Sequence, residues 1–514
     1  MLDDPFADIG AACKLAAAAR RWALHGRRLW SPARIRSDRS GPPNLLVLAI
    51  DTLRADRTAA GGARRSLTPA LDALGAAGAV FADVTAAAPW TLPSFSSALT
   101  GVMPSVHGAG LAGVVRDLDR QPPQSYGGAP STLASHLSRL GWRTAAFYAN
   151  PFVGFGLAET FQTRRYANLP AREVVYLALD WIRRHAQTPF FCFVLMNDPH
   201  EPTLPPRRLL APRLAALPTR PRRAALRALA RWGDPDHGTP HLGRSPWPAD
   251  DATRAALAIK LALYDASVQA ADAAVAEAVA QLRAWSLDRN TVVTVFSDHG
   301  EEFHDHLAAS RAWGHDPRGL HGIGHGHALF QEVVRVPWVA AGPGVPAGSR
   351  VAGPVSLCDV APTLCEWVGA EPPPLSAVRP GLAGRSQVAA AKSAVRANAG
   401  GAPRAVAQML DEGEGSERTL LIEDIAYGPD LIAVRRGAWK LIASREGAPL
   451  ALFDLAADSA EQEDLRVTRP EITAELLEAA APLRAARPAA QAGEGWESVE
   501  DRVRRQLKQL GYSD

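Results

Sequence analysis

Apolar runs of seven or eight residues recur along the chain, and polar residues follow each run directly. The run NLLVLAI at 44–50 ends at Asp51 and is typical of a parallel strand buried on both faces. Three further runs have the same form: 142–149 before Asn150, 190–196 before Asp198 and His200, and 291–297 before Asp298 and His299. Helical patterns separate these runs, at 68–78, 131–140, 171–187 and 253–285. The alternation predicts an α/β fold with a doubly wound, mainly parallel central sheet, whose carboxyl edge collects the polar residues.

Composition changes along the chain indicate its other segments. Residues 202–250 are rich in Pro and Arg, which predicts an excursion over the surface, and residues 419–456 contain short strand-like runs that predict a small antiparallel sheet. We expect five segments: an N-terminal helical extension at 1–42, a main domain at 43–384, a linker or loop at 385–418, a small C-terminal α+β subdomain at 419–490, and a C-terminal helical tail at 491–514.

Length and charge restrict the class of protein. A chain of 514 residues suits one large α/β domain with a smaller one. Its 56 basic and 53 acidic residues nearly balance, so we expect no nucleic-acid partner. The four cysteines form no CxxC pair, which favours buried free thiols over a zinc–thiolate site.

The N-terminal segment has no signal-peptide pattern, because Asp3, Asp4 and Asp8 come first and arginines interrupt the apolar run that follows. No apolar stretch of about 20 residues occurs, so we expect no transmembrane helix and a cytoplasmic location. Residues 11–30 could form a basic amphipathic helix that contacts an anionic membrane, or one that packs on its own domain.

Two local motifs carry candidate chemistry. Asp298 and His299 follow a strand, and a carboxylate beside an imidazole suits a divalent metal; Asp51 could add a second carboxylate from another strand. Thr91 opens the segment TLPS, where a helix N-terminus would hold an anionic ester near its hydroxyl. Each motif alone also fits a simple helix cap. Seven histidines between 299 and 327 allow either a second metal site or a polar loop at the site.

Several segments together resemble the sulfatase family of the alkaline-phosphatase superfamily. The resemblance runs in order from about residue 43 to about residue 490. Its segments include NLLVLAIDTLRAD at 44–56, TLPS at 91–94, TGVMPSVHG at 100–108, NDPHEP at 197–202, VVTVFSDHGEE at 292–302, HGHALFQEVVRVPWVAAGPGV at 325–345 and GAWKLIAS at 437–444.

The resemblance implies an ester hydrolase with an alkaline-phosphatase-like fold and one divalent cation, Ca, Mg, Mn or Zn. The implied metal ligands are Asp51, Thr91, Asp298 and His299, and Thr91 is also the implied nucleophile for sulfur or phosphorus. His200 would protonate the leaving oxygen or bind the transferred group. The implied substrate-binding residues are Asn150, His325 and His321.

The chain departs from well-studied sulfatases at the motif that becomes formylglycine. Thr91 stands where they carry Cys or Ser, and Phe95 stands where they carry Arg. The usual second aspartate is Thr52, and the segment around Asn150 has no Lys. What remains resembles phosphonate monoester and phosphodiester hydrolases and Thr-dependent transferases.

Three hypotheses follow from these residues. The first is a metal-dependent hydrolase of sulfate or phosphate esters of a small molecule, a glycan or a lipid headgroup. The second is a phosphotransferase that passes the group to an acceptor hydroxyl. The third is a catalytically silent binding protein, which the joint presence of Asp51, Thr91, His200, Asp298 and His299 disfavours.

Overall fold

The structure is a computed structural model that describes residues 41–111, 116–118, 120–201, 203–217, 251–313, 316–318, 322–373, 378–379, 381–399 and 418–485. The predicted N-terminal extension, except for residues 41 and 42, and the predicted C-terminal tail lie outside these ranges. None of the helices in the described ranges is both long and apolar enough to cross a membrane.

The strands of the described part are numbered in chain order. They are β1 (Asn44–Ile50), β2 (Ala79–Thr85), β3 (Arg116–Asp117), β4 (Arg143–Tyr148), β5 (Thr163–Tyr166), β6 (Phe190–Met196), β7 (Thr291–Phe296), β8 (Glu302–Phe303), β9 (Ile323–Gly324), β10 (Arg335–Ala341), β11 (Ser349–Val351), β12 (Val355–Ser356), β13 (Thr419–Ile422), β14 (Tyr427–Gly428), β15 (Leu431–Arg436), β16 (Trp439–Ser444) and β17 (Pro449–Asp454).

The α-helices are numbered in the same way. They are α1 (Pro69–Ala76), α2 (Thr91–Thr100), α3 (Pro104–His107), α4 (Leu133–Arg139), α5 (Ala171–His185), α6 (Arg207–Ala215), α7 (Asp251–Ala284), α8 (Leu307–Ala312), α9 (Gln331–Val334), α10 (Val360–Trp367), α11 (Val388–Ala399), α12 (Pro470–Ala479) and α13 (Ala481–Ala485).

A nine-stranded sheet forms the centre of the main domain, in the order β11-β2-β10-β7-β1-β6-β4-β5, with β12 also paired to β2. Strand β10 runs antiparallel to β2 and β7, whereas the other pairs of this sheet are parallel. The doubly wound, mainly parallel sheet predicted from the sequence is therefore confirmed. Strands β7, β1, β6 and β4 lie side by side, so their carboxyl ends meet at one edge.

Alternate residues of each central strand enter different cores. On β1, Leu45 and Val47 face the core that includes α2, α4 and α10, whereas Leu46 and Leu48 face the core that includes α1, α5 and α7. Because both faces of the strand are covered, every residue of NLLVLAI is buried. This double covering explains why the sequence pattern of the strand is continuous rather than alternating.

The C-terminal part contains the predicted antiparallel sheet, with four strands in the order β13-β15-β16-β17. One face packs on α12 and α13 through Leu441, Leu476 and Leu483. The pairing of β14 with β3 attaches this subdomain to the main domain. A backbone hydrogen bond from Glu423 N to Ala87 O joins it to the segment before α2. Cys192, Cys358 and Cys365 are buried free thiols, as expected.

The segment predicted as a linker contains more structure than the sequence analysis gave it. Helix α11 (Val388–Ala399) begins three residues into the range 385–418, and residues 400–417 lie outside the described part. Val388 and Ala391 are buried in the main core, and Ala391 O accepts a hydrogen bond from Ser349 Oγ at 2.8 Å. The Ala-rich composition taken for a loop therefore corresponds, at its start, to a small-residue helix packed on β11.

Candidate active site

Three candidate metal ligands meet at the carboxyl edge of the sheet. Asp51 follows β1 and Asp298-His299 follow β7, and these strands are parallel neighbours, with Ala49 opposite Phe296. One ligand atom from each of the three residues lies within 4.8 Å of the other two. All three side chains are fully buried. The strands predicted from the sequence thus bring Asp51 next to a pair of residues that follows it by about 250 positions in the chain.

Three of the four carboxylate oxygens of this cluster lack hydrogen-bond partners among the described residues: Asp51 Oδ1, Asp298 Oδ1 and Asp298 Oδ2. Burial, together with the charge of Asp51, raises the pKa of Asp298 well above its ordinary value. Burying two carboxylates side by side is unfavourable unless a cation compensates them.

His299 presents a lone pair to the same point. Its Nδ1 lies 2.9 Å from Gly300 O, and because a carbonyl oxygen only accepts, Nδ1 carries the hydrogen. Burial and the charge of His325 lower the pKa of His299 to about 3, so the ring is neutral and Nε2 is unprotonated. Nε2 lies 3.3 Å from Asp298 Oδ2 and 3.5 Å from Asp51 Oδ1. Two carboxylates and a neutral imidazole nitrogen form a ligand set that fits a divalent cation.

Thr91 is the first residue of α2, and its hydroxyl faces this cluster. Thr91 Oγ1 lies 3.4 Å from His299 Nε2 and accepts a hydrogen bond from Asn150 Nδ2 at 3.1 Å. The preceding residue, Trp90, makes no side-chain cap to the helix. An uncapped helix N-terminus directs N–H groups and a positive partial charge toward the position of an anion beside Thr91.

Asn150 bridges the nucleophile candidate and the carboxylate cluster. It follows β4, and its Oδ1 accepts the N–H of Phe152, which fixes the orientation of the amide. Its Nδ2 donates to Asp51 Oδ2 at 2.8 Å as well as to Thr91 Oγ1. The predicted substrate-binding residue is therefore placed in the site, where its amide hydrogens are engaged with Asp51 and Thr91.

Two further histidines lie over the cluster. The rings of His200 and His325 are 4.9 Å apart, and the rings of His299 and His325 are 4.4 Å apart. The Nδ1 atom of His200 donates to the backbone carbonyl of Glu201, which fixes the orientation of the ring. His325 Nδ1 lies 3.1 Å from Glu301 Oε2. Burial lowers the pKa of His325 well below its ordinary value.

Not all sequence-predicted polar residues are placed in the site. His321 lies outside the described residues. Asp198, which follows β6, accepts a hydrogen bond from Ala171 N at 2.7 Å and so holds the start of α5 instead. Conversely, Glu301 contacts His325 although the sequence analysis gave it no role; its adjacency to the Asp298-His299 pair was the available signal.

The departures from the family pattern have structural consequences. Phe95 is fully buried one helical turn after Thr91, and its ring lies 5.5 Å from that of Phe193 in an edge-to-face contact. Thr52, in place of the second aspartate, has a φ of 56°, an unfavourable value for a β-branched residue. Tyr264 Oη donates to Thr52 O at 2.8 Å and supports this turn from α7.

The histidine-rich segment contains a second cluster of possible ligands, His306, Glu332 and Glu461. His306 Nδ1 lies 2.7 Å from Glu332 Oε1, and its Nε2 lies 3.1 Å from Glu461 O. Lys440 Nζ lies 2.7 Å from Glu461 Oε1. Because an ammonium and both imidazole nitrogens are already engaged with these groups, we interpret the cluster as an ion-pair network between the main domain and the C-terminal subdomain.

Comparison with known proteins identifies the same family that the sequence motifs of the site resemble. The sulfatase family model matches residues 43–370. Choline-sulfatase of Rhizobium meliloti is 24% identical over 489 residues, with 83% of each chain covered, and a sulfatase of Formosa agariphila is 22% identical over 463 residues, with 82% of each covered. The crystal structure of phosphonate monoester hydrolase of Agrobacterium radiobacter superposes with a TM-score of 0.60 and 20% identity, covering 87% of this chain and 96% of that one.

Proposed function

The chain belongs to the sulfatase family and is an ester hydrolase. We propose that Thr91 is its nucleophile, that the reaction requires one divalent cation, and that phosphate esters are favoured over sulfate esters. His325 binds the transferred group, Asn150 holds Asp51 and Thr91 in place, and His200 protonates the leaving oxygen. The preference for phosphate rests on the identity of residue 91.

The placement of Thr91 is the single observation that carries the proposal. A Thr at the start of a helix commonly serves as a cap, but its neighbour Trp90 is the N-cap residue here, and the Thr91 hydroxyl faces Asn150 and His299 instead. The hydroxyl is buried beside carboxylate oxygens that lack partners among the described residues. A hydroxyl in these surroundings is suited to lose its proton and attack.

The residues that would hold the cation are Asp51, Asp298, His299 and Thr91. Their fit is supported by the unpartnered carboxylate oxygens and by the neutral Nε2 of His299. A bound divalent cation would lower the pKa of the Thr91 hydroxyl and polarise an oxygen of the ester. Asn150 would keep Asp51 and Thr91 at a fixed separation through its two amide hydrogens.

In the proposed reaction, Thr91 reacts as the alkoxide, its proton having passed to solvent, and its Oγ1 forms a bond to phosphorus while the bond from phosphorus to the leaving oxygen breaks. The leaving oxygen takes its proton from Nε2 of the His200 ring, which carries a hydrogen on both nitrogens at this step and donates from Nδ1 to Glu201 O throughout. Water then attacks phosphorus, the bond to Oγ1 breaks, and His200 accepts the proton of that water. The N-terminus of α2 would stabilise the negative charge of the transition state.

The single oxygen of Thr91 favours phosphoryl over sulfuryl transfer. A formylglycine hydrate has a second hydroxyl that can expel the bound group by breaking a carbon–oxygen bond, and Thr91 has none. The covalent ester on Thr91 can therefore leave only when water attacks phosphorus or sulfur. The sequence around Asn150 also lacks the Lys that accompanies sulfate hydrolysis in the resembled sulfatases.

A substrate panel tests the proposal. We would measure hydrolysis of four p-nitrophenyl esters: p-nitrophenyl phosphate, p-nitrophenyl phenylphosphonate, bis(p-nitrophenyl) phosphate and p-nitrophenyl sulfate. Choline sulfate is the fifth substrate. Each is assayed with Mg, Mn, Ca or Zn and with a chelator. Wild-type protein should prefer a phosphate or phosphonate ester and should lose activity in the chelator. Thr91→Ala purified in parallel is the control for contaminating enzymes. Faster hydrolysis of sulfates than of all phosphorus esters would contradict the preference for phosphorus.

The same assay separates hydrolysis from transfer to an acceptor. Added ethanol or glycerol competes with water for the covalent ester, and a transferase would form an alkyl phosphate as its main product. A hydrolase should instead release inorganic phosphate in proportion to p-nitrophenol. A protein that binds p-nitrophenyl esters without releasing phenol would support the silent binding protein.

A further inference from the structure

The long helix α7 contacts three parts of the active site from one side. Tyr264 Oη donates to Thr52 O and accepts the N–H of Arg54, in the turn that follows Asp51. One turn earlier, Lys260 forms an ion pair with Glu201, the residue after His200. Ile259 packs on Ile323, two residues before His325. From the sequence, this helix was predicted only as one of the helical patterns that separate the strands.

Lys260 is an unusual side chain for a purely structural position. Only 4% of the residue is exposed, and removing an ammonium from water costs several kcal/mol unless it is paired. Its partner carboxylate, Glu201, remains 29% exposed, so this side chain could be hydrated without Lys260. Replacing such a pair by apolar groups is often neutral for stability, so folding alone gives little reason to bury this ammonium.

The pair is connected to the chemistry through a backbone carbonyl. His200 Nδ1 donates to Glu201 O, and the same residue contributes its carboxylate to Lys260. The ion pair therefore lies next to the carbonyl that orients the His200 ring.

We propose that Lys260 is a positioning residue for His200: its ion pair fixes Glu201, so that the Glu201 carbonyl holds the Nδ1–H form of the His200 ring. The proposal rests on the proposed role of His200 as the acid that protonates the leaving oxygen. In this arrangement Nε2 always faces the ester. Without the ion pair, the peptide unit that carries the Glu201 carbonyl can rotate, and the ring divides its time between two tautomers and two orientations.

Kinetics with two leaving groups test the proposal. Lys260→Met should lower kcat for an alkyl phosphate about tenfold or more and kcat for the p-nitrophenyl ester less than about threefold, because a phenolate leaves without a proton. Lys260→Arg should restore most of the alkyl activity, since it keeps the cation. Arg172→Met is the matched control, because Arg172 forms an ion pair with Glu277 on the same helix, at 2.9 Å.

A double variant distinguishes the possible failures. If Lys260 acts through His200, adding Lys260→Met to His200→Ala should cause no further loss with the alkyl ester. Independent losses, equal losses for both esters, or a raised KM with an unchanged kcat would overturn the positioning role; the last result would indicate direct substrate binding. If His200→Ala alone affects both esters equally, the proposed acid role of His200 fails, and the positioning role fails with it.

A spectroscopic measurement tests the inference without any turnover. With ¹⁵N-labelled histidine, and His200→Ala for assignment, the ring nitrogens of His200 report their tautomer. The wild-type protein should show the Nδ1–H form, and Lys260→Met should show a mixture or the Nε2–H form. An unchanged His200 signal in Lys260→Met would overturn the proposal even if the enzyme proves to act on another ester.

Discussion

Replacing Asp298 by Asn should change the stability of the protein in opposite directions with and without a divalent cation. Asp298 and Asp51 are fully buried, and three of their four carboxylate oxygens have no hydrogen-bond partner among the described residues. In the absence of a cation, the substitution removes one of two neighbouring negative charges. In its presence, the substitution removes a charged ligand.

The size of the effect follows from the distance between the groups. Ligand oxygens of Asp51 and Asp298 lie within 4.8 Å of one another, and at an effective dielectric constant of about 20 two unit charges at that distance repel by roughly 3 kcal/mol. Because protonation of Asp298 relieves part of this repulsion, we expect Asp298→Asn to be more stable than wild type by about 1–3 kcal/mol in a chelator. A cation at 1,000 times its dissociation constant should stabilise wild type by about 4 kcal/mol.

The dependence on pH has a definite sign. Burial and the charge of Asp51 raise the pKa of Asp298 in the folded state above its unfolded value. The folded apoprotein therefore binds more protons than the unfolded chain, and its stability decreases as the pH rises through the folded-state pKa. The advantage of Asp298→Asn in a chelator should increase over the same range.

Urea unfolding at several pH values, with EDTA and then with excess Mn or Mg, measures these effects. Asp272→Asn is the matched control: Asp272 is also a buried carboxylate, but it accepts hydrogen bonds from Ala70 N and Leu71 N. Its substitution should not alter the response to the cation. Equal stabilisation of wild type and Asp298→Asn by every cation, or lower stability of Asp298→Asn in EDTA, would refute this interpretation of the cluster.

Three further predictions concern other parts of the molecule. Thr91→Ala should lower kcat for the best p-nitrophenyl ester by at least about 10³-fold with unchanged unfolding, whereas Thr91→Ser keeps part of the activity; more than a tenth of wild-type activity in Thr91→Ala would exclude it as the nucleophile. Phe95→Arg, the change that would restore the family motif, should destabilise the fold by about 3–5 kcal/mol, because it places a charge against Phe193; wild-type urea stability would contradict that packing. Burial opposes protonation of His306, but the contact with Glu332 outweighs burial and raises the pKa of His306 to about 8. This ion pair should therefore stabilise the fold by about 2 kcal/mol below about pH 6.5. That contribution should be lost as the pH rises through about 8. Urea unfolding at pH 6 and pH 9 should show this loss in wild type and not in His306→Gln, and an equal slope in both would contradict it.

The sequence by itself determined the central sheet and the edge at which the candidate active site lies. Strands covered on both faces must be apolar throughout, so β1, β6 and β7 were predicted with their observed starts and within one residue of their ends. Polar residues just after such strands are placed at the carboxyl edge of the sheet, which made Asp51, Asn150, His200 and the pair Asp298-His299 candidates for one site. These inferences depend only on local pattern, and a local pattern is what the printed sequence contains.

Sequence pattern alone was insufficient where the partner of a residue lies far along the chain. Asp198 follows a strand as His200 does, yet it binds the start of α5, and only the packing of that helix decides between the two outcomes. The start of the predicted linker forms α11 because its small residues pack on β11, a surface that the local composition does not indicate.

The tertiary structure alone decided how the site is supported. Lys260 and Glu201 are 59 positions apart, and no local motif relates an isolated lysine on a long helix to the residue after a histidine. Likewise, Glu301 meets His325 only because the intervening segment folds back through the pair β8–β9. Ion pairs and hydrogen bonds of this kind depend on the three-dimensional approach of side chains, whereas the hydrophobic pattern that predicts strands depends on burial alone.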